Sequence, residues 1–455
     1  MAFIVFNMLE EPGHILPTFK LARGLVSRGH RVAYLEPPDL EGFVRAQGFE
    51  VVPLSQDLYP KCTASRLGQL GPLEFLRKKC RCADTEMQMF ESGAMSRQLR
   101  SLGASLMLVD QASNAVALAA YAAKIPCAIL NTTLPAGEDT GIAPLVSSAV
   151  YGDDFLSRLR AKLAWRSLLG RRHVETLLLG PMEALGLTLD PRPDWGNWVR
   201  RYAAMCGYPV HRVELRTTFS LPELLDFQEF VLCPSALDFP RQSRPGRVSI
   251  ESIDVNRHEE PTPELDSWLD GRRLVYATLG SLAFRYHDCR SFFQALLVAA
   301  RSLPLHQFVI GAGDVLSQDE INAAPENVRV IRFAPQIRLL RRASLMITHG
   351  GLGTVKECLY HGVPMIVFPQ AYDQSGNGAR VVYHRVGAVA PARGLTPTRL
   401  AALVRQVDGD PTIRRSVARM KEQFQEHERE AAGVALVESL IPDRRASLTD
   451  LPAIR

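Results

Sequence analysis

The 455-residue sequence contains no Cys-x-x-Cys pair, and its eight cysteines, at 62, 80, 82, 127, 206, 233, 289 and 358, form no disulfide-dense module. Such usage belongs to a reducing compartment, where cysteine serves as a small buried hydrophobe. No run of about 18 apolar residues occurs, so no membrane span is expected. The opening "MAFIVFNMLEEPGHILPTF" lacks a basic leader, and its apolar run is too short for a secretory signal. These absences predict a soluble, cytoplasmic chain. Charge is balanced too: +5 over 455 residues is too little to mark a nucleic-acid binder, although it suits small anionic ligands. Low-complexity segments, tandem repeats and a clustered carboxylate pair suited to Mg²⁺ are all missing, so neither a metal nor a bound cofactor is predicted. What remains is an ordinary globular composition, 46% hydrophobic and 22% charged, at a length that favours two domains of about 200 residues.

The order of apolar runs sets the fold class. "AFIVFNM" predicts a strand, "LEEPGHILP" a loop, and 18–28 a helix, with Phe19, Leu21, Ala22, Leu25 and Val26 at helical spacing and Gly29 as the stop. "RVAYLEP", "FEVVPL", "ASLMLVD" and "PCAILNT" follow as strands, with the helix "ASNAVALAAYAAKI" between the last two. Alternation of this kind predicts a parallel, doubly wound sheet. It weakens between 151 and 232, a mainly helical stretch where Arg158, Arg160, Lys162, Arg166, Arg171 and Arg172 interleave with Leu156, Leu159, Leu163 and Leu168. A solvated amphipathic helix pair is the plain reading, and a membrane-surface or acceptor-facing role is the alternative. Pro, Ser, Arg and Glu are frequent over 234–263, as in an extended linker. Alternation then resumes from "RLVYATLGS" to "GNGARVVYHRVG". The expected class is therefore α/β: a doubly wound domain over 1–233, a linker over 234–263, a second, Rossmann-like domain over 264–435, and a segment over 436–455 that crosses back to the first domain. Two such sheets turn the carboxyl ends of their strands toward a shared cleft, where ligands of open α/β sheets bind.

The segment "HGGLGTVKECLYHGVPMIVFPQAYDQ", 349–374, holds the clearest chemistry. His349 ends a strand, and Gly350, Gly351 and Gly353 let the chain turn so that amides at the next helix start converge, a cradle for an anion. Gly351-x-Gly353 with Asp373 twenty residues on imitates a dinucleotide fingerprint. Lys356 stands where the third glycine belongs, which argues against it. Glu357, one turn into the helix, offers a carboxylate to a ribose diol, or serves only to stabilise the helix dipole.

The wider segment from Phe333 to Val381, "FAPQIRLLRRASLMITHGGLGTVKECLYHGVPMIVFPQAYDQSGNGARV", resembles the donor-binding signature of the family-one, GT-B-fold nucleotide-sugar glycosyltransferases. That family includes plant secondary-product and bacterial natural-product enzymes. "PGHILPT" near the start and "LGS" at 279–281 extend the resemblance over the chain. The resemblance implies a nucleotide-sugar donor. Phe333 would take the place of the tryptophan that stacks on the base, Gln336 would sit at base or ribose, and Glu357 on the ribose hydroxyls. His349, Gly351, Gly353, Thr354 and Ser281 would hold the diphosphate, and Asp373 and Gln374 the sugar. "GGLGT" at 350–354 replaces the "CGWNS" common in plant members, so an indole and an asparagine amide are absent.

His14, after the first strand, faces the cleft, and neutral imidazole is a suitable base near pH 7. Asp110 ends a strand on the same face and can orient that imidazole, or cap the helix that follows, or both. In the resembling family these two places hold a catalytic dyad. The implied activity is inverting, metal-independent transfer of a sugar, glucose from UDP-glucose first, to a hydroxyl of a small, largely apolar natural product. A TDP-deoxysugar donor, a GT-B-fold epimerase and a nucleotide-sugar sensor are the alternatives.

Overall fold

The computed structural model describes residues 1–36, 38–54, 84–184, 195–280, 283, 288–390 and 395–442. In the N-terminal half, β1 (Phe3–Asn7), β2 (Arg31–Glu36), β3 (Glu50–Pro53), β4 (Leu106–Asp110) and β5 (Cys127–Asn131) precede a small antiparallel pair, β6 (Val213–Glu214) and β7 (Glu223–Leu224). With β8 (Gln228–Val231) and β9 (Arg247–Ser249), the first five build a parallel sheet ordered β3-β2-β1-β4-β5-β8-β9. In the C-terminal half, β10 (Arg273–Thr278), β11 (His306–Gly311), β12 (Val328–Ile331), β13 (Ala343–Thr348), β14 (Met365–Val367) and β15 (Gly387–Val389) form a second parallel sheet, ordered β12-β11-β10-β13-β14-β15. The central strands are apolar along nearly their whole length because helices cover both faces; every residue of β4 and β11 is buried.

Strand order explains where a site can form. In the first sheet the order reverses between β1 and β4, and in the second between β10 and β13. Connections leaving such a pair diverge and open a crevice at the carboxyl ends. His14 follows β1, Asp110 ends β4, Gly280 follows β10 and His349 follows β13, so the chemistry-bearing residues cluster at the two reversals.

Two local expectations change. The loop expected over "LEEPGHILP" is largely helical: Pro12–Ile15 forms one α-turn and Leu16–Thr18 a 3₁₀ turn leading into Phe19–Ser27. Pro12 occupies the first helical position, where its fixed φ fits and its missing N–H costs nothing. The linker expected from 234 is shorter, because β9 extends the N-terminal sheet to Ser249. Arg247 holds it there, 2.8 Å from Glu229 and 3.0 Å from Glu223.

The halves are laced together by buried polar groups. Lys356, whose side chain broke the dinucleotide pattern, donates its ammonium to the Leu232 carbonyl and, at 2.8 Å, to Ser252 Oγ. Glu428 accepts from the Ser252 amide at 2.9 Å and pairs with Lys20 at 2.5 Å. The helix Gly433–Glu438 then lies on Phe19–Ser27, with Val437 buried and Glu438 3.0 Å from His30. Residues 443–455 lie outside the described residues.

A tighter contact joins the helix Gln374–Tyr383 to the N-terminal half. Gly376 N donates to the Leu145 carbonyl at 2.8 Å, and a Cβ on Gly376 would overlap that oxygen. Both partners are backbone, so neither yields cheaply. Gly376→Ala is therefore expected to lower stability by about 1–3 kcal/mol in a urea melt. An unchanged midpoint would mean that the two segments separate without cost.

Candidate active site

A cavity of about 590 Å³ lies between the two strand reversals, within the range of small-molecule sites. His14, Thr132 and Phe219 line it from one half, and His349, Thr354 and Asp373 from the other.

His14 sits in the turn Pro12–Ile15 with Nδ1 2.8 Å from Asp110 Oδ2 and 2.8 Å from Thr132 Oγ1. A carboxylate only accepts, so Nδ1 carries the proton and Nε2 is the basic nitrogen. Asp110 is fully buried, and its other oxygen accepts from the Ala112 amide at 2.8 Å. It both orients the imidazole and caps the turn after β4. Burial alone would lower the His14 pKa, but Asp110's charge and hydrogen bond, then Glu11 and Asp373, raise it above the ordinary 6.5. A base must be deprotonated, so turnover is expected to fall as pH drops through that raised value, with an acid limb above 6.5. In Asp110→Asn the raising charge is gone while burial remains, so the limb should move to lower pH. An acid limb that stays put in the variant would assign it to another group.

On the facing half, the His349 ring lies between two glycines. A Cβ on Gly280 would stand 2.6 Å from its Cε1, and one on Gly351 2.6 Å from its Nε2. Gly280 and Gly350 have φ of +81° and +88°, which only glycine adopts freely. Burial pushes the His349 pKa down to about 4, so near neutrality it is an uncharged hydrogen-bonding ring. Asn377 Nδ2 donates to the Gly350 carbonyl at 2.9 Å and to Asp373 Oδ2 at 2.9 Å, joining the glycine turn to the acid. Burial raises the Asp373 pKa, opposed by that hydrogen bond. Gln374 Oε1 accepts from the Gln370 and Ala371 amides at 2.7 and 3.0 Å, which commits its oxygen to the loop.

Glu357 is already engaged. Arg257 grips both of its oxygens, Nη1 on Oε1 and Nη2 at 3.2 Å from Oε2, and Gln336 Nε2 donates to Oε2 at 2.6 Å. Glu357, Gln336 and Thr354 thus share one wall, with Gln336 Nε2 3.4 Å from Thr354 Oγ1.

Of the residues singled out from sequence, His14, Gln336, His349, Gly351, Gly353, Thr354, Glu357, Asp373 and Gln374 line this cavity, and Asp110 lies behind His14. Phe333 is not among the lining residues; the residue is 74% exposed, with the Arg332 guanidinium 5.3 Å from its ring centroid. Ser281 lies outside the described residues. Sequence reasoning missed Thr132, Arg257 and Asn377. Asn377 stands one helical turn after Asp373 and was discoverable from that spacing. Arg257 meets Glu357 across 100 residues, and no local pattern announces it. Among the described residues, no three His, Cys, Asp or Glu side chains converge as metal ligands.

Residues 303–434 match the family described as "Erythromycin biosynthesis protein CIII-like, C-terminal domain". The chain is 25% identical over 406 residues to zeaxanthin glucosyltransferase of Pantoea ananas, covering 87% of this chain and 85% of that protein. It is 25% identical over 451 residues to oleandomycin glycosyltransferase of Streptomyces antibioticus, covering 97% and 92%. The solved glycotransferase of kitacinnamycin superposes with a TM-score of 0.68 at 22% identity, over 97% of this chain and 99% of that one. The chain has the GT-B fold of these enzymes. A further GT-B glycosyltransferase, the spinosyn rhamnosyltransferase SpnG complexed with thymidine diphosphate, has a TM-score of 0.60 at 18% identity, over 97% and 100%. The two facing parallel sheets are the GT-B arrangement, and the matched family segment spans Phe333 to Gln374. It excludes His14, Asp110 and Arg257, which stand on geometry alone.

Proposed function

We propose that this GT-B-fold protein is a glycosyltransferase that moves a sugar, with inversion, from a nucleoside-diphosphate donor to a hydroxyl of a small, largely apolar natural product. The observation that carries the reading is the His14–Asp110 pair, 2.8 Å apart, facing the glycine turn at 349–354 across one cavity. His14 Nε2 takes the acceptor's hydroxyl proton as that oxygen attacks the anomeric carbon. The bond to the diphosphate breaks on the opposite face, and its electron pair leaves on the phosphate oxygen. Negative charge grows there in the transition state. The neutral His349 ring and the amides at the start of the helix Leu352–His361 are the groups proposed to receive it, in place of a metal ion.

The first donor reading is UDP-glucose, with Asp373 at the sugar and Glu357 at the ribose. A second reading, a TDP-deoxysugar, is favoured by Arg257, because a pentose with one hydroxyl fewer leaves the Arg257–Glu357 pair undisturbed. A thermal-shift panel of UDP, TDP and GDP separates them, since a ligand at a hundred times its Kd stabilises the fold by about 2.7 kcal/mol. UDP is expected to give the largest shift. A larger shift with TDP would select the second reading, and none with any nucleotide would remove the donor site altogether. Incubation with the nucleotide sugar alone tests the epimerase alternative: an epimer formed without acceptor would replace transfer.

A further inference from the structure

We propose that the exposed face of the helix Phe155–Ala184 docks on an anionic lipid bilayer, lying in the plane of the headgroups. The helix carries two opposed stripes. Ala161, Trp165, Leu168 and Arg172, at i, i+4, i+7 and i+11, turn inward: Trp165 Nε1 donates to the Ile142 carbonyl at 2.8 Å, and Arg172 Nη1 to the Thr217 carbonyl at 2.6 Å. On the other side Leu156, Leu159, Leu163, Val174 and Leu177 stand exposed, at 58, 38, 52, 52 and 61%. Only Arg166 and Gly170 interrupt the row, which at 1.5 Å per residue runs about 30 Å. Single exposed leucines are normal on a surface helix, but five exposed apolar side chains along one face mark an interaction face.

Charge selects the occupant. At 100° per residue Arg160 and Arg171 flank the row on one side and Arg158 and Lys162 on the other, while Glu175 is the only carboxylate over 155–178. A second copy on this face would pack row on row, setting Arg166 into the seam and each basic flank against another. An anionic bilayer satisfies both features at once. The leucines enter the acyl boundary, and the long cationic side chains extend to the phosphates. Exposed Phe155 at the end of the row suits the same interface. No described helix is long and apolar enough to cross a membrane, so this is surface attachment and not a span.

The helix is anchored beside the cavity, since Arg172 also donates to the Thr218 carbonyl and Phe219 lines the cavity wall. Docking would hold that wall against the lipid, where an apolar acceptor concentrates. This last step rests on the proposed function, whereas the docking itself does not.

Sedimentation of the full chain with vesicles tests the proposal. Vesicles of equal parts phosphatidylcholine and phosphatidylglycerol should bind at least about tenfold more protein at low salt than phosphatidylcholine alone, and high salt should remove the difference. Combined Arg160→Gln, Lys162→Gln, Arg166→Gln and Arg171→Gln should cut binding by about tenfold or more, and so should combined Leu156→Ser, Leu159→Ser and Leu163→Ser. All seven side chains are exposed, so melting temperature and nucleotide-induced shifts should match the parent. Equal binding to both vesicle types, or charge variants that bind like the parent, would overturn the proposal. So would a dimer dispersed by the leucine substitutions, which would assign the row to a second copy. Failure of the donor panel would leave lipid binding intact and remove only the link to acceptor supply.

Discussion

His14→Ala is expected to lower kcat by about 10²–10⁴-fold while leaving nucleotide binding nearly unchanged. The reasoning is local. His14 lines the N-terminal wall of the cavity, its Nδ1 is held by Asp110 and Thr132, and the glycine turn proposed to cradle the diphosphate belongs to the other half. Removing the imidazole takes away the proposed proton acceptor without touching any group proposed to hold the donor. The effect should therefore fall on kcat and not on the nucleotide-induced thermal shift. Asp110→Asn acts through His14, so its loss should be smaller and should carry the shift of the acid limb. Unaltered turnover in His14→Ala, with a validated acceptor, would show that another group takes the proton.

The strands themselves and the glycine turn were legible because their causes are local. "AFIVFNM" and "ASLMLVD" are apolar runs bounded by helix patterns, and such runs have few alternatives to a buried parallel strand. Gly350 and Gly351 announce themselves because a tight turn beside a bulky ring excludes side chains. What the sequence hid depends on contacts made across the fold. Arg257 stands in a stretch whose composition reads as linker, yet it grips Glu357, and a lone glutamate in a helix gives no hint of a guanidinium. Thr132 is one more polar residue after a strand until β5 places it beside His14. Composition could not separate the helix turn at Pro12–Ile15 from a loop, since proline and glycine serve both. The exposed row on Phe155–Ala184 shows the same limit from the other side. Its leucines scan as an ordinary amphipathic pattern, and only the buried opposite stripe reveals that they face outward.

Gly351→Ala is expected to weaken nucleoside-diphosphate binding by about a hundredfold, and Gly353→Ala to weaken it less while raising the melting temperature. The two glycines sit two residues apart, and their surroundings differ. Gly351 has a φ of −59°, which any residue adopts, so the substitution carries no backbone strain. Its new Cβ would stand 2.6 Å from His349 Nε2, and the ring cannot retreat because the Gly280 backbone closes the other side. Either His349 rotates out of its place or the helix start shifts, and both disperse the donors proposed to meet the diphosphate. A Cβ on Gly353 would meet nothing within 4 Å, and the residue lies inside Leu352–His361. There alanine is favoured over glycine by up to about 1 kcal/mol, so the fold gains while a methyl intrudes on the cavity. Calorimetric titration and thermal melts on both variants read these effects separately. A stabilised Gly353→Ala with reduced affinity means that ligand approaches the helix start closely. A Gly351→Ala variant that binds nucleotide as tightly as the parent would remove the phosphate cradle from this turn.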